Sequence, residues 1–317
     1  MRSKRIPYHR SRHVCHSWPF TNMALKHVVV GGGTGFIGSQ LIKSLSLEGI
    51  SCTCISRMPG PNRISWNDLE RYGLPEDTSA VINVAGQNVL DPTQRWSPGF
   101  KQNVRNSRVK TTKALADSIQ NTKATVFATI SGVAYYKPND TVYTEESKCE
   151  SYDFLSRLCH DWEEAAKLPE DSNIRQVTIR SGVVLGRTGG MIKQIYLPFF
   201  FGLGGPIGSG DQYMPWIHIT DLACMFIFAL KHSNVHGILN GVAPQLMTNK
   251  EFTKAFAAAM NRPAFIPLPS FVLQILFSEE RAKIMLEGQK VTPKRVTELG
   301  FQYRFPDIET ACKQLVQ

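Results

Sequence analysis

Between residues 130 and 140 the sequence reads "ISGVAYYKPND", which sets Ser131, Tyr135, Tyr136 and Lys137 where a short apolar run gives way to turn residues. A phenol can exchange a proton with a substrate, and a serine hydroxyl can orient a carbonyl or an alcohol, so Ser131, Tyr135 and Tyr136 are candidate catalytic residues. The chemistry has a condition. A tyrosine works as a base only when a cation held beside it favours the anion; otherwise its pKa stays at about 10. Lys137 lies in the turn, and the sequence shows no other cation beside the two phenols. Ser131 stands at a strand end, where a hydroxyl is often a structural hydrogen-bonder.

A second constellation, "VVVGGGTGFIGSQ", carries Gly32, Gly35 and Gly38 at three-residue intervals, directly after a β-branched run and at the start of a helical pattern. In that context the spacing suits a dinucleotide. Gly32 permits a tight turn, Gly35 lets the backbone approach a pyrophosphate, and Gly38 allows close helix packing. Thr34, Phe36 and Ile37 share the turn and belong to the same cradle. NAD-preferring proteins of this design place an acid at the end of the second strand, but here that strand ends "CISRMPG", with Ser56 and Arg57 and no acid. A hydroxyl and a guanidinium suit a 2′-phosphate, so the expected cofactor is NADP (NADPH) rather than NAD. The run "VINVAG" ends with the small pair Ala85 and Gly86, which would let a cofactor pass close to the backbone.

The elements that must hold these groups follow from the apolar pattern. "KHVVV", "ISCTCISR", "AVINVAG", "TVFATISGVAYY" and "QVTIRSGVVLG" are near-continuous apolar runs alternating with helical stretches such as "FKQNVRNSRVKTTKALADSIQ" and "DFLSRLCHDWEEAAKL". Such a rhythm predicts an α/β Rossmann fold with a doubly wound parallel sheet. After about residue 190 it changes to the Gly/Pro/aromatic-rich "LPFFFGLGGPIGSGDQYMPWIHITDLA", and "LMTNKEFTKAFAAAMNR" opens with a capping box from Thr248 to Glu251. The expected organisation is a basic leader or tail over 1–22, an NADP-binding domain over 23–190, and a smaller C-terminal substrate lobe over 191–317 packed on it.

Of the net charge of +10, half comes from Arg2, Lys4, Arg5, Arg10 and Arg12 at the front, and no acid precedes Glu48. An acid-free, Arg-rich leader resembles a mitochondrial transit peptide; a start at Met23 would instead give a cytoplasmic protein. With the charge concentrated there and no recognition motif, nucleic acid is not an expected partner. No apolar run is long enough to span a membrane, so a soluble protein without a membrane partner is expected. The seven cysteines are scattered, which predicts neither a metal site nor a disulfide framework, and a reducing compartment is the simplest setting. Oligomeric state is not legible.

"GGTGFIGSQL", "VINVAG", "NVRNSRVKTTKAL", "RSGVVLG", "WIHITDLA" and "GILNGVAPQLMTNKEFTKAFAAAM" stand in an order that resembles the extended short-chain dehydrogenase/reductases, the sugar-nucleotide epimerase-like group, over about residues 26–312. "SGVAYY", "GLGGPIGSG" and "MPWIHI" are most similar to its atypical epimerase-family branch, family 39U. The resemblance implies NADP contacts by Ser56 and Arg57, by Val84, Ala85 and Gly86, by Asn103 and Arg108 on the following helix, and near Val184. Active members carry a tyrosine with a lysine four residues later. Matching "WEEA" to the group's usual glutamate puts Leu155 and Cys159 at those positions, and Tyr152 is followed at +4 by Ser156. The pair is absent. Cys159 and His160 are adjacent on a helix and point apart, which argues against a dyad, and His218 reads as a packed or substrate-lobe residue rather than a base.

The leading expectation is an NADP-dependent oxidoreductase of atypical type, with an apolar or planar small-molecule substrate under Phe199, Phe200, Phe201, Tyr213 and Trp216 unless that aromatic cluster is lobe core. The alternative is a catalytically silent NADPH-binding sensor or regulator.

Overall fold

Valine- and isoleucine-rich runs without polar alternation make strands that need cover on both faces, and the chain supplies it. The computed structural model describes Cys15 and residues 25–58 and 60–317. The expectations about a leader over 1–22 and a start at Met23 therefore lie outside the described residues, Cys15 excepted. The strands are β1 (His27–Gly31), β2 (Ser51–Ser56), β3 (Arg63–Ser65), β4 (Ala80–Asn83), β5 (Val126–Gly132), β6 (Val142–Tyr143), β7 (Arg175–Ser181), β8 (Val183–Gly186), β9 (Trp216–His218), β10 (Gly237–Gly241) and β11 (Lys290–Val291). The helices are α1 (Phe36–Leu47), α2 (Trp66–Tyr72), α3 (Pro98–Ile119), α4 (Phe154–Ala165), α5 (Gly190–Phe200), α6 (Ile219–Lys231), α7 (Asn249–Met260), α8 (Ser270–Phe277), α9 (Glu279–Leu286), α10 (Lys294–Glu298) and α11 (Ile308–Val316).

Seven strands form one parallel sheet in the order β10-β7-β5-β4-β1-β2-β3. The doubly wound architecture expected from the sequence is present. Alternate residues of one strand serve opposite layers: Val28 and Val30 pack in the cluster that holds α1 and α6, whereas Val29 packs with Leu69 of α2 and Leu115 of α3. The chain runs outward from β1 through β2 to β3, then crosses to β4 on the other side of β1. The order therefore reverses between β1 and β4, and ligands of such sheets bind at that reversal, beyond the carboxyl ends of the strands.

Two expectations are corrected. A boundary at residue 190 does not divide the sheet from the lobe, because α6 and β10 return to it: β10 pairs with β7 from Gly237 opposite Val177 to Gly241 opposite Ser181. The lobe is made of the segments either side of that return, with Ile192, Phe199, Trp216, Phe252, Phe256 and Leu315 in one core. The capping box from Thr248 to Glu251 starts α7 as expected. The cysteines are not all unpaired: Cys15 is disulfide-bonded to Cys224 of α6, their Cα atoms 5.5 Å apart, within reach of a bridge. A separation of 209 residues kept that pair out of sight in the sequence.

His218 joins β9 to α6 as a packed residue. Its Nδ1 accepts from the Thr220 amide at 3.2 Å, capping α6, and its Nε2 meets Gln314 Oε1 at 2.9 Å, which requires the neutral ring with the proton on Nε2. Burial pushes its pKa down from 6.5 to about 4. Because the folded value lies below the unfolded one, His218 contributes stability that is complete above pH 6.5 and is lost as pH falls toward about 4. The contribution is on the order of 3 kcal/mol. Denaturant titrations between pH 7 and pH 4 should show this acid loss, and His218→Asn, which keeps a cap acceptor, should flatten it; an unchanged pH slope in the variant would assign the loss to other groups.

Candidate functional site

Gly31 of β1 pairs with Asn83 of β4, so the glycine turn and the segment 84–86 leave the sheet at the same level. They touch. A Cβ placed on Gly32, whose φ is 77°, would lie 2.6 Å from Ala85 Cα, and one on Gly38 would lie 2.2 Å from the Gly32 carbonyl oxygen. Only glycine fits either place. Gly35 precedes the first turn of α1 as its N-cap, its own side open apart from the Gly32 oxygen at 3.2 Å, and Thr34 beside it is exposed. Phe36 turns its ring away to pack on Gly186, Gly189 and Gly190, beside β8, where Val184 pairs with Ile217. Ile37 packs into the core beneath α1.

The loop after β4 is held from below by polar groups that the sequence reading missed. Asn83 is fully buried; its Oδ1 accepts from the Ala85 amide at 3.1 Å and its Nδ2 donates to Thr112 Oγ1 at 2.8 Å, which also accepts from Trp162 Nε1 at 2.9 Å. Ser107 Oγ accepts from the Gln87 amide at 2.9 Å. One signal was available: Asn83 is the only polar residue in the otherwise apolar "AVIN".

The cationic groups stand where an anion would be met. Ser56, at the end of β2, is buried and donates to the Met58 carbonyl at 2.6 Å, leaving Arg57 exposed and without an ion pair among the described residues. Arg108 of α3 lies against Gly86, its guanidinium carbon 3.1 Å from where a Gly86 Cβ would sit. It too has no carboxylate partner among the described residues, and burial lowers its pKa to about 10. Asn103 lies on the exposed face of α3 and is not brought to Arg108. A crevice with glycine walls, helix amides at one end and two unpaired guanidiniums suits a phosphate-bearing dinucleotide.

The candidate catalytic residues separate. Ser131 and Gly132 of β5 lie opposite Arg180 and Ser181 of β7, and Arg180 lies opposite Asn240 of β10. Arg180 makes a bidentate pair with Glu163 of α4, at 2.8 and 2.7 Å. The cation that the sequence did not place beside the phenols is this one: Arg180 donates to the Tyr136 hydroxyl at 3.0 Å, and its guanidinium carbon lies 3.3 Å from the centre of the Tyr135 ring. Tyr136 is fully buried, with its hydroxyl also directed to Asn240 Oδ1 at 2.8 Å and the Thr144 carbonyl at 3.0 Å; burial raises its pKa against the pull of Arg180. Its oxygen is fully engaged inside the protein. The Tyr135 hydroxyl makes no hydrogen bond among the described residues, and its ring also packs on His160, 4.5 Å between centroids.

Ser131 is buried, with no hydrogen-bond partner of acceptable geometry for its Oγ. It faces the Cys159 thiol of α4, whose pKa burial and the nearby Glu163 push up to about 12 despite the Gly132 amide, Ser131 and Arg108. Where the resemblance expects a lysine ammonium there is a neutral thiol. The aromatic cluster expected to frame a substrate also divides. Phe199 and Trp216 are core of the lobe, Phe200 and Phe201 face outward, and Tyr213 lies under Lys290 Nζ at 4.6 Å.

Comparison with known proteins agrees with this architecture. Residues 28–240 match the family model described as NAD dependent epimerase/dehydratase family, and residues 268–315 match a domain of unknown function, DUF1731. The chain is 52% identical over 295 residues to the Epimerase family protein SDR39U1 of Bos taurus, covering 91% of this chain and 99% of the relative. It is 33% identical to the chloroplastic SDR39U1 homolog of Arabidopsis thaliana, covering 92% and 86%. The crystal structure of human epimerase family protein SDR39U1 (isoform2) with NADPH superimposes with a TM-score of 0.89 at 49% identity, over 91% of this chain and 98% of that one.

The Tyr136 hydroxyl is a structural group by this geometry. Tyr136→Phe should lower unfolding free energy by on the order of 2 kcal/mol, because Asn240 and Arg180 each lose a buried partner. Thermal melts of the variant and the wild type, read beside nucleotide titrations, check this: stability should fall while nucleotide affinity holds.

Proposed function

Because this chain belongs to the NAD dependent epimerase/dehydratase family, we propose that it binds NADPH between the glycine turn after β1 and the loop after β4, and acts as an atypical short-chain oxidoreductase. The observation that carries the reading is the backbone contact of Gly32 with Ala85 at the point where strand order reverses, with Arg57 unpaired beyond β2. The human relative was crystallised with NADPH, which supports the same choice of cofactor.

When bound, the cofactor supplies the hydride, and the protein's part is to hold it and to manage the proton. The turn from Gly32 to Gly38 would receive the pyrophosphate on its backbone amides. Ser56 and Arg57 would take the 2′-phosphate, and Val84, Ala85 and Gly86 would line the passage toward β5. Arg108, which lies against Gly86, would face that passage from α3, Val184 would border it from β8, and Asn103 would reach it only from the solvent side of α3.

For the proton, Leu155 has no ionisable group and Cys159 holds its proton to about pH 12. Tyr135 is the phenol left with no hydrogen bond to its hydroxyl among the described residues, in the turn just beyond the carboxyl end of β5, with the Arg180 guanidinium 3.3 Å from its ring centre. Tyr135 is accordingly our candidate proton donor, and Ser131 our candidate for orienting the substrate. A second reading, a silent NADPH-binding sensor, is favoured by one observation: the neutral thiol at the lysine position.

Titration of the full chain with NADPH and NADH should show preference for NADPH, and Arg57→Ala should weaken NADPH roughly tenfold or more while leaving NADH unchanged. Equal loss for both nucleotides would remove Arg57 from the 2′-phosphate site. In a screen of carbonyl compounds, wild-type protein should oxidise NADPH in a substrate-dependent manner. Tyr135→Phe should abolish that turnover and leave NADPH affinity intact; turnover at full rate would exclude Tyr135, and no turnover by wild type with any substrate would favour the sensor.

A further inference from the structure

The C-terminal lobe carries an apolar face that nothing in the chain covers among the described residues. It runs from the end of α5 through the following turn to the strand-like segment 263–269 and into α8. These pieces are joined by backbone bonds, Ile266 to the Gly204 carbonyl at 3.2 Å and Leu268 to the Pro206 carbonyl at 2.9 Å. Leu197, Phe201, Leu203, Phe265, Phe271 and Ile275 are 60–79% exposed, and α8 buries only Leu273 of its eight residues. Together with their neighbours these side chains present on the order of 1,000 Å² of apolar surface, more than monomeric soluble proteins usually leave contiguous.

Charge narrows what can cover it. Residues 190–210 and 252–278, which carry the face, contain no Asp or Glu, and two of their cations border it: exposed Lys193 lies one helical turn before Leu197, and Arg262 donates to the Phe200 carbonyl at 2.8 Å with its guanidinium 5.3 Å from that ring. A second copy docked by the same face would bring Lys193 and Arg262 against their counterparts, while the acids Glu279 and Glu280 lie beyond the far end of α8 and Glu280 is already paired with Lys101. An anionic bilayer surface answers both features, since it takes aromatic and aliphatic side chains at the headgroup level and attracts the rim. No described helix is long and apolar enough to cross a membrane, and eight residues of α8 are suited to lying in the interface.

We propose that this face, formed by the end of α5, segment 263–269 and α8, docks the protein peripherally on anionic lipid membranes. This departs from the expectation of no membrane partner, and it does not depend on the NADPH reading.

The test is co-sedimentation of the full chain with phosphatidylcholine vesicles, with and without phosphatidylserine. The wild type should sediment with the phosphatidylserine vesicles and little with the neutral ones. The combined variant Phe201→Ser, Phe265→Ser, Ile275→Ser should bind at least ~tenfold more weakly, and Lys193→Glu about fivefold more weakly, with melting temperature unchanged in both. Undiminished sedimentation of the triple variant would overturn the proposal by placing binding elsewhere, the basic residues 1–22 included. Absence of vesicle binding would overturn it too, as would a wild-type dimer that the triple variant dissociates, which would assign the face to a second copy.

Discussion

Everything at the carboxyl edge of the sheet depends on one backbone contact. The turn after β1 can pass over Ala85, and α1 can begin directly behind it, only because Gly32 and Gly38 have no side chains: a methyl group at either would lie within 2.6 Å of backbone. Such overlap cannot be absorbed by a rotamer, as it would be at a flexible side chain. It would push the turn off β4 and open the crevice. Asn83 fixes the other wall, answering the Ala85 amide from inside the sheet and leaning on Thr112 and Trp162 in turn. The crevice is thus shaped by atoms that never face a ligand.

The other side of the crevice is organised around a buried charge. Arg180 stands buried near the carboxyl end of β7, where a lone guanidinium would be costly, and Glu163 meets it with both oxygens. The pair ties α4 to the sheet and leaves Arg180 available to Tyr135 and Tyr136. In ordinary short-chain dehydrogenases α4 supplies the working tyrosine and lysine; here its inward residues are Ser156, Leu158, Cys159 and Trp162, which pack or cap. The positive charge near the candidate phenol comes from the sheet instead of the helix. That displacement explains how a chain can lose the tyrosine and lysine of the helix and still keep a cation beside a phenol.

This is also where sequence reading stopped. The glycine turn, the parallel sheet and the α7 capping box are local patterns, written in consecutive residues, and were legible. Arg180 reads as an odd charge in "VTIRSG", but its partners lie 17, 44 and 45 residues away, and only the register of β5, β7 and β10 brings them together. The same holds for Cys15 with Cys224, and for β10, whose return to the sheet after a glycine- and aromatic-rich stretch defeated a boundary drawn from composition at residue 190. Phe200 and Phe201 could not be told from Phe199 by type; the geometry of α5 faces one inward and two outward.

The lobe is bound to the crevice more tightly than a two-domain description suggests. Arg281 of α9 is buried with no carboxylate pair among the described residues, and it donates to the carbonyls of Val89, Asp91 and Gln94 in the loop that continues from Gly86. Its guanidinium also lies 5.4–5.5 Å from the rings of Trp96, Phe100 and Phe277. Three backbone acceptors on one planar donor hold a loop far more firmly than a single contact would, and here the loop extends one wall of the proposed nucleotide passage. The segment 268–315, which matches the domain of unknown function, therefore has a definite structural task. It fixes the residues after β4 from outside while Asn83 and Ser107 fix them from inside, so the lobe and the crevice form one mechanical unit, and a change in α8 or α9 will be felt at Gly86 through Arg281.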